Sequence, residues 1–304
     1  MFTGITTQQF REQFKTEEDC LKYLMDLKWG NGYKCPKCEG KEYFKGKKWY
    51  YRRCKKCGYD ESVTAGTLFH KCKLGLLKAF EMAFRLSVRK KGMSSCELAR
   101  EFDCQQRSAW LFKTKVQRAM KSSGKFPLEN NVDVDEFMIG GLEEEKYGRS
   151  QGKKRIVVLG VEKVRNKKGK ETMGRAYAKV VKAFNQGELK PFFREHVSKA
   201  ASVRTDKWAS YLPLRQEGWS LHQQNSRGGI NFPLIHTHIM NIKNWLRGIH
   251  HKCSSKYLQG YLDEYHFRFN RRTYLGTAFQ KLMERLIENK PYPYRVIRVS
   301  NLNT

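Results

Sequence analysis

The chain has 304 residues, with 60 Lys and Arg against 30 Asp and Glu, a formal net charge of +30, and 39% hydrophobic and 13% aromatic residues. That apolar share excludes a disordered chain, and the length allows two or three compact domains. The basic excess runs along the whole length and points to a nucleic-acid partner held through its phosphates. No apolar run reaches transmembrane length and no basic amphipathic helix stands out, so no membrane role is expected. Met1 to Gln13 lacks the apolar segment of a signal peptide. Nine cysteines, four of them in two tight pairs, fit a reducing compartment with a metal site better than a disulfide framework. A cytoplasmic protein is expected.

Residues 1–30 read as a helical segment. Thr16 is its expected N-cap, followed by Glu17, Glu18 and Asp19 in the first turn, with Leu21, Leu24, Met25 and Trp29 as an apolar stripe. Residues 31–66 hold Cys35-Pro36-Lys37-Cys38 and, fifteen residues on, Cys54-Lys55-Lys56-Cys57. A two-residue spacer lets both thiolates of a pair reach one ion, so the four close a tetrahedral zinc site with no open position. Such a site is structural, and its binding energy holds a segment too small to fold alone. Residues 70–121 read as helices containing a helix-turn-helix. Ser94 and Glu97 form an expected capping box, Asp103-Cys104 the turn, and Gln105 opens the second helix. Gln105, Gln106, Arg107 and Lys113 are its candidate DNA contacts, with Trp110 and Leu111 expected to pack inward. Residues 122–130 form a linker.

From residue 131 the periodicity changes. Strands are expected at 132–139, 155–164 and 172–182, then a helix at 187–197 and a strand ending at Asp206. A helix at 207–217, a strand at 220–224 and a long helix after Pro233 complete the set. This order is similar to the ribonuclease H-like layout, in which a carboxylate on the first strand and one ending the fourth sit side by side. Asp135 and Asp206 hold those positions. Paired carboxylates are the usual hard-oxygen ligands for the two divalent ions, Mg²⁺ or Mn²⁺, that cut and rejoin phosphodiesters. Strand alternation turns Glu136 to the face opposite Asp135 and leaves Asp133 as a fallback. A third ligand is expected on the helix after Pro233, which carries no Asp or Glu. His236 and Lys243 lie on one edge of its apolar stripe, and Asn241 projects away from it.

Taken together, the chain resembles the bacterial insertion-sequence transposases of the ISXO-two-like group, which have an N-terminal zinc ribbon and a DDE-type catalytic domain. The residues carrying the resemblance are Trp29 to Cys38, Cys54 to Cys57, Thr64 to His70, Ser94 to Trp110, Val134-Asp135-Glu136 with Gly140-Gly141, Thr205-Asp206 with Tyr211, Gly248 to His251, and Tyr261 to Arg272. It implies an α+β multidomain chain: zinc ribbon and helix-turn-helix, then a ribonuclease H-like α/β domain over 131–290 and a tail over 291–304. It implies Asp135 and Asp206 as catalytic acids. The family's third member, a glutamate seven residues before a helix lysine, falls on His236 when counted from Lys243. Matching the preceding His-Thr instead gives Asn241; the helix register favours His236. Expected partners are double-stranded DNA, both the element's inverted repeats and the target, and a second copy of the chain in a dimer or larger oligomer. Lys243, Arg247, Arg268, Arg271 and Arg272 are candidate phosphate contacts. The alternatives are a non-catalytic or domesticated DNA-binding protein, and a nuclease that does not join ends.

Overall fold

The computed structural model describes residues 2–141, 154–250 and 253–299. His251, part of the resemblance, and residues 300–304 of the expected tail lie outside the described residues. The chain divides into two compact units, Met1–Met120 with Thr273–Thr304, and Lys121–Arg272.

The first unit opens with helices α1 (Thr7–Gln13) and α2 (Glu17–Trp29), each started by a reciprocal capping box, Thr6 with Gln9 and Thr16 with Asp19. The stripe of α2 differs from expectation. Cys20 and Leu24 are its buried residues, and Leu21, Met25 and Trp29 are only half-buried. A small antiparallel sheet follows, β1 (Tyr43–Lys45), β2 (Tyr51–Cys54) and β3 (Asp60–Ser62), with β2 central. Helices α3 (Leu76–Val88), α4 (Ser95–Glu101) and α5 (Gln106–Met120) come next. Ser94 caps α4 by accepting the Glu97 N–H at 3.0 Å. The Glu97 carboxylate does not return the bond; it takes the Arg89 guanidinium at 3.3 Å, so the expected capping box is one-sided. Asp103 turns the chain at φ 43°, and α5 then buries Ala109, Phe112 and Val116. That three-and-four spacing puts Trp110 and Leu111 on its flank, half-buried, and not inward as expected.

The second unit is built on a five-stranded mixed sheet. Strands β4 (Asn131–Ile139), β5 (Arg155–Arg165) and β6 (Glu171–Val181) form an antiparallel meander. Helix α6 (Gln186–His196) leads to β7 (Ser202–Thr205), and α7 (Leu212–Gln216) to β8 (Ser220–Gln223). The strand order is β6-β5-β4-β7-β8, with β7 parallel to β4 and β8 parallel to β7. Two apolar layers cover the sheet. On one face Val132, Val134, Ile156 and Val158 pack with Phe192 and Phe193 of α6 and Leu214 of α7. On the other, Phe137, Val157 and Leu159 pack with Ile235, Ile239, Ile242 and Leu246 of α8 (Pro233–Ile249) and with Leu258 and Leu262 of α9 (Leu258–Phe269). This double burial is why β5 reads as a near-continuous apolar run, whereas β4 alternates through Asp133 and Asp135. Gly160, mid-strand, is where α6 approaches closest: a Cβ there would come within 2.7 Å of Leu128 and 3.1 Å of the Phe192 ring.

After Arg272 the chain returns to the first unit. Helix α10 (Ala278–Glu288) packs on α3 and α5 and places Phe279 among Phe2, Phe10, Phe14, Phe80 and Phe84. The second unit therefore closes at 272, short of the expected boundary at 290. The apolar face of α10 is buried by helices that precede residue 121. The expected tail is also partly folded, as α11 (Tyr294–Val299) with Ile297 buried.

Candidate functional site

The four cysteines meet at the ends of β1–β3. Each pair sits on the same backbone knuckle. Cys35 C=O accepts from Glu39 N–H while Cys35 N–H donates to Gly40, and Cys54 C=O accepts from Gly58 N–H while Cys54 N–H donates to Tyr59. The turn residue adopts positive φ in both, Glu39 at 60° and Gly58 at 69°. The repeated turn brings all four sulfurs within 4.8 Å of one another, with Cys35 to Cys57 at 3.6 Å and Cys38 to Cys54 at 3.5 Å. A tetrahedron with Zn–S bonds of ~2.3 Å has S···S edges of about 3.8 Å, so the cluster fits one zinc ion. Gly40 leaves room beside it, since a Cβ there would lie 3.2 Å from Cys54 Sγ. Four thiolates leave no open position, and the cluster supports a structural zinc. Away from this cluster, Cys20 is buried enough to push its thiol up to about 12.

The acidic residues occupy the second unit. The β4–β7 ladder pairs Val132 with Val203 and ends at Asp133 with Arg204; Asp135 follows two residues further along β4, and Asp206 comes directly after the last residue of β7. Each carboxylate is anchored through Oδ1 by a backbone N–H, Asp135 by Glu136 at 2.9 Å and Asp206 by Trp208 at 3.0 Å. Helix α8 covers this face, and His236 Nε2 lies 3.5 Å from Asp135 Oδ2. Gly229, at φ 96°, seats the imidazole: a Cβ there would be 3.0 Å from the His236 ring. Lys243 is on the same side of α8 as His236, with Nζ 5.6 Å from the Phe137 ring, and burial and the nearby Arg247 and Lys154 charges lower its proton affinity. Asn241 is exposed, facing away.

Two neighbouring acids have other partners. Asp133 is 1% exposed and takes both arms of Arg204, at 2.8 and 3.0 Å, with Lys163 at 3.5 Å. It is neutralised within the sheet and does not serve as a fallback ligand. Glu136 turns to the opposite face, as alternation requires, and there lies close to Tyr211. The Tyr211 phenol is raised well above its ordinary value by burial first, then by the charges of Glu136, Asp135 and Asp206. Among the described residues the four cysteines are the only His, Cys, Asp or Glu group of three or more with donor atoms this close together. Asp135, Asp206 and His236 are not gathered as tightly.

Comparison with known families decides the identity. Residues 127–270 match the ISXO2-like transposase domain, and residues 15–60 match the transposase zinc-ribbon domain. The chain thus carries an ISXO2-like transposase domain behind a transposase zinc ribbon. It is also similar to an uncharacterized protein in transposable element ISH50 of Halobacterium salinarum, 22% identical over 279 residues that cover 82% of this chain and 90% of that one. The matched transposase domain ends near residue 270, where the second unit closes at Arg272.

The candidate DNA-contacting residues divide by exposure. Gln105, Gln106 and Arg107 are exposed at the start of α5. Gln106 donates to Ser95 Oγ at 2.8 Å, and Arg107 lies over the Tyr294 ring at 5.0 Å, a contact with α11 that the sequence did not signal. Lys113 is buried with Nζ donating to the Met93 carbonyl, so it is withdrawn from any DNA surface. In α9, Arg268 is likewise buried and paired with Glu264 at 2.6 Å, satisfying a buried carboxylate and not a phosphate. Arg271 packs over Phe267 and donates to its carbonyl at 3.0 Å, and Arg272 donates to the carbonyls of Met173, Gly174 and Phe269. Arg247 is exposed and Lys243 half-buried on α8. No helix among the described residues is long and apolar enough to cross a membrane.

Proposed function

We propose that this chain is an active DNA transposase, binding the terminal inverted repeats of its own insertion sequence and cutting and joining the ends in a ribonuclease H-like domain. The observation that carries the reading is the juxtaposition in the second unit. Asp135 on β4 and Asp206, just past the end of its parallel neighbour β7, each follow the last paired residues, Asp133 and Arg204, by two positions, and His236 Nε2 lies 3.5 Å from Asp135. The β6-β5-β4-β7-β8 order, with its antiparallel meander and two parallel additions, supports the ribonuclease H-like assignment.

Asp135, Asp206 and His236 would hold the divalent ions, Mg²⁺ or Mn²⁺. Bound there, the ions supply activation of the attacking oxygen and stabilisation of the leaving oxygen. Two ions a few ångströms apart need donors spread over more than one coordination shell, which suits a set more open than the zinc cluster. The backbone N–H bonds to Asp135 and Asp206 fix one oxygen of each carboxylate. The Gly229 turn holds the imidazole toward Asp135. Lys243, one edge of α8 further on, offers its ammonium to a phosphate of the bound strand. The exposed start of α5 would read the terminal repeats, the ribbon would add contacts, and two ends would require two copies of the chain.

A second reading, a DNA-binding descendant without catalysis, draws on the absence of any Asp or Glu in α8. Strand transfer with oligonucleotides bearing the element's ends and Mg²⁺ separates the two. Wild type should join ends to target, and Asp135→Asn or Asp206→Asn should reduce joining about a thousandfold, ~4 kcal/mol at the transition state. An inert wild type, or variants within tenfold of it, removes the catalytic reading. Cut ends with no joined product would make the chain a nuclease.

A further inference from the structure

The ribbon's sheet has two unlike faces. Cross-strand register pairs Tyr43 with Cys54 and Arg52 with Glu61 on one of them. That face is packed: Arg52 lies 4.3 Å from the Tyr43 ring and 5.3 Å from the Trp29 ring, and Lys28 pairs with Glu61 at 2.7 Å. The other face carries Phe44 opposite Arg53, with Tyr51 beside them. Phe44 is 60% exposed, more than a packed aromatic ring would leave to water. Lys55 Nζ lies 5.2 Å from its centroid. In the β1–β2 connection Trp49 is 44% exposed, preceded by Lys47 and Lys48 and with its ring 5.5 Å from that of Tyr50. Between residues 41 and 57 there are eight Lys and Arg against one acid, Glu42.

We propose that this outward face is a stacking platform for an unpaired DNA strand, as at a frayed or nicked element end. The inference rests on the DNA-transposase reading and specifies which form of DNA the ribbon takes. Positive charge alone would serve duplex and single strand alike. An exposed aromatic gains from nucleic acid only where a base shows its π-face, and in a duplex those faces are already stacked on one another. Phe44 and Trp49 offer two such surfaces; Arg53 stands opposite Phe44 and Lys47 and Lys48 precede Trp49 as charge for the backbone, while Lys55 is paired with Glu42 at 3.2 Å. The surplus of seven positive charges in this short segment disfavours an uncharged protein partner.

The test uses the full zinc-loaded chain and two labelled probes in fluorescence anisotropy, a deoxythymidine tract and a blunt duplex of equal length. Phe44→Ala and Trp49→Ala should each weaken the tract about tenfold and the duplex less than twofold, with Phe44→Tyr retaining the wild-type value. Zinc content of one ion per chain in each variant confirms that the ribbon is folded. Equal weakening of both probes, or no weakening of either, overturns the inference while leaving DNA binding in place. A wild type that binds neither probe overturns the inference and the DNA-transposase reading together.

Discussion

The zinc ribbon and the five-stranded sheet solve the same problem with opposite means. In the ribbon the buried apolar cluster is Tyr33 with two of the cysteines themselves. Its strands are three or four residues long, and its order comes from the four-thiolate knot. The sheet has an apolar layer on each face and needs no ligand to fold. The residues that carry chemistry are therefore the framework of the ribbon, whereas in the sheet they are additions to a framework that stands without them. Side-chain changes of equal size should unfold the one and merely silence the other.

Metal removal breaks the comparison open most sharply. A chelator, or Cys35→Ser, forfeits a zinc binding energy of about 10 kcal/mol or more, and the ribbon should unfold. Hydrogen exchange should show protection lost over residues 33–62 and unchanged over β4, β5 and β6. Loss of protection in both places would mean that the sheet also depends on the metal.

Within the sheet, two aspartates on one strand sharpen the contrast. Asp135→Asn should silence joining with stability changed by less than ~0.5 kcal/mol, since the carboxylate is not part of a core. Asp133→Asn, two residues earlier on the same face, should cost about 3 kcal/mol, because it leaves Arg204 without its carboxylate and Lys163 with only the more distant Glu171 at 3.9 Å. Urea unfolding of the two variants should separate them by that amount. Equal stability would show that the Asp133 pair contributes no net energy.

Acid should weaken both regions by different routes. In the ribbon, protons compete with zinc for thiolates. In the sheet unit, His238 and His266 are buried with their Nε2 atoms 3.2 Å apart, and burial lowers His266 to about 4 and His238 further. An unfolded histidine titrates near 6.5, so the unfolded state takes up more protons as pH falls below that value. The stabilisation that depends on keeping these two histidines neutral is complete above pH 6.5 and declines toward pH 4. For His266 alone the loss between pH 7 and pH 5 is about 2 kcal/mol. His266→Asn should flatten that decline in urea midpoints, and an unchanged slope would put the acid sensitivity elsewhere.

How much of this was legible in the sequence follows the same division. The CxxC spacing is local chemistry, and residues 33–62 could be read from it directly. The strand sequence of the second unit was legible because β5 leaves a long apolar run and β4 a clear alternation. What escaped depends on distant packing. Nothing local to Phe279 shows that it belongs with Phe10 and Phe84, so α10 was assigned to the wrong unit. Lys113 and Arg268 look like surface cations in sequence, yet their partners, Met93 and Glu264, draw them inside. Gly229 entered the site unnoticed because a glycine before a helix is ordinary, and Glu136 was assigned its face without its neighbour Tyr211.

The third position of the acidic site is where the smallest effect and the finest distinction lie. His236 and Asn241 are five residues apart on α8, so they project about 140° apart around its axis. His236 Nε2 is within 3.5 Å of Asp135, and Asn241 is exposed. A neutral nitrogen binds Mg²⁺ more weakly than a carboxylate but suits Mn²⁺ better. Removing it should weaken the site without abolishing it: His236→Ala should lower joining about tenfold, ~1.4 kcal/mol, more in Mg²⁺ than in Mn²⁺. His236→Glu should restore joining in Mg²⁺, and Asn241→Ala should stay within twofold of wild type. A larger loss from Asn241→Ala than from His236→Ala would move the third ligand across the helix and require α8 to rotate when the ions bind.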